Sequence, residues 1–253
     1  MSPSIWTRCA GPSRVRRLAG TFRRVVEAQF RNSTRKLVDS DQEQALLEEL
    51  LDTHAKLPVP EGFAGLHYLL YTPFRHPPLR NGSRFGTRRE RGILYGAREL
   101  PTAFAEVAYY RLLFLEGSDA ALGVITVELT AFAFGVAAGR GVDLTRAPFA
   151  EFEAEISSKT STAASQQLGR ELREAGVECC LYVSARDPGR GHCLAVFANV
   201  FKPQRPSGEE RWTCAASRAR VEFSSGSLLR KAAGHAYERS QFLVRGRLPA
   251  PAA

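Results

Sequence analysis

The chain has 253 residues, 44% of them hydrophobic, enough apolar side chains for one domain of ordinary size with extensions or at most two small ones. No run approaches the ~20 apolar residues that cross a bilayer, and no compact apolar segment follows the basic start, so the expectation is a soluble, cytoplasmic protein without a membrane partner. The net charge of +9 points to nucleic acid until it is located: residues 1–36 hold nine Lys and Arg against one acid, and the rest holds 26 against 25.

Taken in order, the chain divides into a basic arm over 1–36, a helical extension and hinge over 37–61, a central domain over 62–202, and a polar loop and tail over 203–253. The arm, "MSPSIWTRCAGPSRVRRLAGTFRR", is read as flexible; it resembles an organelle transit peptide in being Arg-rich and acid-free, and fits a disordered tail or an overlong start as well. A first helix is predicted from Ser40 to about His54, with Ser40 and Glu43 in capping-box spacing and Leu46, Leu47, Leu50 and Leu51 as its apolar stripe. "KLPVPEG" then breaks it. Strands are predicted at 66–71, 92–97, 122–129, 177–184 and 193–201, and further helices at 101–116 and roughly 165–175, the last closed by Gly176. Residues 203–220 are polar and Pro-containing and read as a surface loop; "SQFLVRGRLPAPAA" could dock as a strand. Strands of even spacing with few helices predict an α+β domain with one mixed sheet rather than alternating parallel units.

The helix over 101–116 is apolar nearly all round and should be buried, yet Glu106 sits in its middle. Its neighbours at three and four residues, Thr102, Ala103, Tyr109 and Tyr110, include no cation. A buried carboxylate needs a cation or several donors, so its partner is expected from the arginines just upstream. Those are plentiful: residues 75–98 hold seven. Such a run is usually a solvated face, but Arg84 stands in "GSRFG", where glycines let the backbone approach a ligand and a guanidinium can bind phosphate in bidentate fashion. No Walker-type loop or dinucleotide fingerprint is present, so phosphate binding would depend on side chains.

A second constellation is "LYVSARDPGRGHCLAVF" at 181–197. Ser184 lacks the Gly-x-Ser-x-Gly elbow of a nucleophile and reads as a hydrogen-bonding serine at a strand end. His192 in the following turn is left open between a site residue and a solvated one. His54, His67, His76 and His235 are scattered without ligand spacing, so no metal is expected. Cys9, Cys179, Cys180, Cys193 and Cys214 read as reduced structural thiols, with adjacent Cys179 and Cys180 on opposite faces of a strand.

"GSRFG", "GILYGARELPTAFAEV" and "GVECCLYVSARDP" together resemble the RES domain, named for its Arg, Glu and Ser, whose members are toxins paired with Xre-type antitoxins. The resemblance covers residues 62 to about 202, with "VVEAQFRNSTRKLVDSDQEQALLEELL" like the helical region of longer members and "FLVRGRLPAPA" like their ending. It implies an ADP-ribosyltransferase-like fold and an enzyme that destroys NAD, by phosphorolysis to nicotinamide and ADP-ribose 1''-phosphate or by hydrolysis. It places the family Arg, Tyr, Glu and Ser at Arg84, Tyr95, Glu106 and Ser184, with a second Arg at Arg75 and a further contact at Arg186. Glu106, Arg84 and Tyr95 would then be catalytic, and Arg75, Ser184 and Arg186 substrate-binding. NAD would be a consumed substrate with inorganic phosphate as co-substrate, with no cofactor, and an Xre-type antitoxin the partner through which nucleic acid is reached indirectly. A homo-oligomer is left open. Two alternatives stand beside it: ADP-ribose transfer to a macromolecule, and a nucleic-acid-binding module using the Arg-rich arm.

Overall fold

A computed structural model describes residues 3–28, 40, 42–43, 58–76, 81–120, 122–227 and 230–250. The elements are α1 (Ile5–Arg8), β1 (Arg16–Glu27), α2 (Tyr68–Arg75), β2 (Leu94–Ala97), α3 (Leu100–Glu116), β3 (Ile125–Asp143), α4 (Glu153–Ile156), α5 (Ala163–Glu174), β4 (Cys179–Val183), β5 (His192–Val196), β6 (Ser207–Ala216), β7 (Arg220–Ser227) and β8 (Arg230–Glu238). The strands form one mixed, mostly antiparallel sheet in the order β1-β2-β5-β4-β3-β6-β7-β8, parallel only between β3 and β4. Because β1 also pairs with β3, five strands close into a ring, and β6, β7 and β8 extend the sheet from β3. This is the α+β class that the strand spacing predicts.

The arm is not flexible over its described part. β1 pairs with β3 continuously from Leu18 opposite Ala138 to Glu27 opposite Leu129, and Phe22 is fully buried. Ahead of it, Ile5, Trp6 and Cys9 pack into the core beside Phe149 and Phe152. Arginines hid this strand: they alternate with few strongly apolar residues, so the charge outweighed a pairing that backbone hydrogen bonds and one Phe secure.

Three further expectations need correction. Residues 66–71 are not a strand; His67 accepts the amide of Leu69 and starts α2, which buries Leu69, Leu70 and Phe74. A six-residue apolar run carries too little periodicity to separate the two. The strand begun near 122–129 runs on to Asp143 through "TAFAFGVAAGRG", whose Ala and Gly residues carry little β propensity of their own. Residues 203–253 are not loop and tail alone, since β6, β7 and β8 lie there, with Trp212, Cys214 and Ala216 buried at every second position of β6. Strands β2 and β4 and helices α3 and α5 fall where the sequence puts them, β5 ends at Val196 rather than at 201, and Gly176 ends α5 with φ 68°. Cys179 and Cys180 enter two different core clusters, one on each face of β4. Ser40 and Glu43 make both hydrogen bonds of the predicted capping box, each 3.2 Å, while the rest of that helix and Arg80 lie outside the described residues. Among the described residues no helix is long and apolar enough to cross a membrane.

α3 lies on the β6–β8 side through Phe104, Tyr109 and Leu112, and its other face looks into a cleft against β1 and β2. α5 packs beside the "GSRFG" turn so closely that a Cβ on Gly169 would stand 2.0 Å from the Phe85 carbonyl. Only glycine permits that approach.

Candidate active site

The cleft measures about 890 Å³, and Arg24, Arg84, Tyr95, Glu106, Tyr110 and Arg186 are among its walls. Four residues expected from the sequence therefore meet there, from a turn, a strand, a helix and a strand-end loop. Arg75 does not join them: it closes α2 outside the lining, to which that segment contributes Pro73 and His76. His192 pairs with Val183 inside the sheet and is also outside it.

Glu106 is half-buried, and among the described residues no cation lies within ion-pair distance, against the expectation of an arginine partner. Its partner is Ser184, whose hydroxyl donates to Oε1 at 2.5 Å. The physical reason is partial exposure: a carboxylate open to the cleft on one side needs only one fixed donor on the other. Ser184 is itself held, since its Oγ accepts the backbone N–H groups of Arg186 and Asp187 at 3.1 and 3.0 Å. Two acceptances and one donation use up the hydroxyl and direct its proton at Glu106. The Cys193 thiol lies 4.0 Å from the same oxygen, and burial pushes its pKa well up, so it stays protonated.

The loop after Ser184 is tied to the helix bearing Glu106. Thr102 Oγ1 donates to Asp187 Oδ2 at 2.7 Å, and Asp187 also accepts the N–H groups of Gly189 and Gly191. Asp187 and Thr102 were missed by sequence reading, although Ser-x-x-Asp-x-Gly is a side-chain-capped turn pattern that could have flagged the first.

Tyr95 anchors the "GSRFG" turn from β2. Its hydroxyl meets Ser83 Oγ at 2.8 Å and accepts the Phe85 N–H at 3.1 Å, and burial raises its pKa so that the phenol remains neutral. Gly82, with φ 71°, makes the turn possible. Arg84, carried by that turn, donates to the Ile156 carbonyl at 3.1 Å. Arg186 is 8% exposed, stacks 3.5 Å above the Tyr109 ring and donates to the Lys159 carbonyl; burial draws its pKa down, opposed by Tyr109 and Glu106.

Arg24 is the main residue the sequence did not reveal. β1 brings it beside Tyr95, whose carbonyl accepts from Nη1 at 2.6 Å. Its Nε is buried without a hydrogen-bond partner, and burial pulls its pKa down to about 10. It still carries its charge at neutral pH, so β1 adds a cation to the cleft wall.

A family model, the RES domain, matches residues 59–215. The chain belongs to the RES domain family. The matched span runs from just before α2 through β6, so β1 with Arg24 closes the sheet of this RES domain from outside it. A chain of the crystal structure of the M. tuberculosis MbcT–MbcA toxin–antitoxin complex is similar at 14% identity and a TM-score of 0.48, over 83% of this chain and 91% of that one. No curated protein matches the chain. Among the described residues of the RES domain no group of three His, Cys, Asp or Glu could hold a metal ion.

Proposed function

We propose that the chain is an NAD-consuming toxin that cleaves the nicotinamide N-glycosidic bond, with phosphate or water as acceptor, and that an Xre-type antitoxin neutralises it by covering the cleft. The observation that carries this reading is the Glu106 carboxylate, oriented by the Ser184 hydroxyl in a cleft whose walls also carry Arg24, Arg84 and Arg186.

The bond between nicotinamide nitrogen and ribose C1 breaks with both electrons leaving on neutral nicotinamide. The ribose acquires oxocarbenium character, and a carboxylate beside it stabilises the developing positive charge. Glu106 suits that role because its orientation is set before substrate arrives. Arg24, Arg84 and Arg186 suit the pyrophosphate and, in phosphorolysis, the incoming phosphate, whose oxygen then bonds C1. In this reading Arg24 takes the part that the family resemblance offers to Arg75. Tyr95 supports the turn that holds Arg84 and borders the nicotinamide riboside. Ser184 acts on Glu106.

The test is purified protein, freed of any partner, incubated with NAD in phosphate and in phosphate-free buffer, with nicotinamide release followed by chromatography and mass detection. Release only with phosphate, together with ADP-ribose 1''-phosphate, identifies a phosphorylase; release in both, with free ADP-ribose, identifies a hydrolase. Absence of release in either refutes the reading, and label from NAD appearing on protein or nucleic acid replaces it with ADP-ribosyl transfer. The arginines of the arm do not form a free tail, because Arg16, Arg17, Arg23 and Arg24 belong to a sheet strand, so the nucleic-acid alternative would use the exposed face of β1.

A further inference from the structure

The cleft extends well past Glu106. β1 and α3 run along it together: at one end Arg24 bonds the Tyr95 carbonyl, and at the other Arg111 pairs with Glu27. Glu106, Tyr110 and Phe114 stand on successive turns of α3, which carries Phe114 about 12 Å from Glu106 at ~1.5 Å per residue. Over the same distance the facing wall changes from Arg23 and Arg24 to Val25, Val26 and Leu129. Tyr110 and Phe114 are 53% and 62% exposed, whereas Phe104 and Tyr109 of the same helix are fully buried. Two large rings left in water along a concave wall forgo their burial energy, and a planar apolar ligand would restore it.

We infer that Phe114, bordered by Tyr110, is the platform on which the adenine ring of NAD stacks, so that the outer end of the cleft selects dinucleotide over mononucleotide. The inference rests on the NAD reading above. A base fits better than a protein segment because the rings line the inside of a continuous cleft. Arg23 and Arg24 directly precede the apolar stretch on β1, so a pyrophosphate held there leaves the second nucleotide over Phe114. The volume of about 890 Å³ lies near the top of the range for small-molecule sites, room for both halves of a dinucleotide.

Steady-state kinetics of the full chain with NAD and with nicotinamide mononucleotide test this. Phe114→Ala should raise the KM for NAD about tenfold, within the range that base–aromatic stacking supports, and leave kcat and the turnover of the mononucleotide unchanged. Phe114→Trp should restore the wild-type KM. An unchanged KM for NAD, or equal weakening of both substrates, overturns the inference while the NAD reading stands. If wild type releases no nicotinamide, the reading fails by itself and AMP binding by titration calorimetry decides: binding lost in Phe114→Ala keeps the platform, and binding absent in wild type or equal in both removes it.

Discussion

Replacing Arg24 with Met separates a strut from a ligand contact. In the free protein the substitution removes the 2.6 Å bond to the Tyr95 carbonyl, a loss of roughly 1.5–3 kcal/mol for a charged donor. It also removes the buried Nε that has no partner, and an unsatisfied buried donor costs roughly 1–3 kcal/mol. The two nearly cancel, so stability should change by no more than about 1 kcal/mol, or ~2–4 °C in Tm. Toward NAD nothing cancels: losing a charge-assisted phosphate contact of roughly 1.5–3 kcal/mol raises KM about 10–150-fold. Thermal melting and NAD-loss kinetics on one preparation decide the matter. An unchanged KM refutes the contact, and a Tm loss above ~10 °C with KM following it shows that Arg24 only braces β1 against β2.

Glu106→Gln keeps an oxygen to accept from Ser184 but removes the charge, so NAD loss should fall about 10²-fold or more while the melting curve stays put; near wild-type turnover would sink the assigned role. All five cysteines are buried and free, so a thiol reagent at pH 8 should modify none in the native protein and five in denaturant. Burial raises the Cys214 thiol to about 11 and Cys179 to about 12 from an ordinary value of 9.0. The folded state therefore keeps protons that the unfolded chain loses, so stability is full below pH 9 and declines as pH rises above it. Urea midpoints at pH 8, 9 and 10 should fall after pH 9, and Cys214→Ala should flatten that fall; a slope unaffected by the substitution contradicts it.

The elements legible in the sequence are those whose pattern is local. α3 and β4 announce themselves through continuous apolar runs, and Glu106 was conspicuous because a lone acid interrupts one of them. Arg84, Tyr95, Ser184 and Arg186 sit in short motifs, and the fold brings all but Ser184 onto the cleft wall, with Ser184 behind Glu106. What escaped depends on pairing over long distances. β1 has a strand's hydrogen bonds without a strand's composition, and β6 hides Trp212, Cys214 and Ala216 behind four exposed polar residues. Arg24 is not legible as a site residue in a segment whose composition is that of a basic tail. Asp187 and Thr102 are 85 residues apart, and their contact follows only once β5 returns beside β4. Glu106 was paired with the wrong chemistry, since periodicity reports which face is apolar and not how much water reaches it.

The strand that closes the ring is made early and needed late. Arg24 pairs with Phe132 on β3, so at a synthesis rate of roughly 5–20 residues per second β1 waits about 5–20 s before its partner exists. Until then the nascent chain has no wall opposite α3 and no second cation beside Tyr95. The order of elements thus leaves β1 without its partner through the first half of synthesis: the amino end is a latch whose catch, β3, is made long after it.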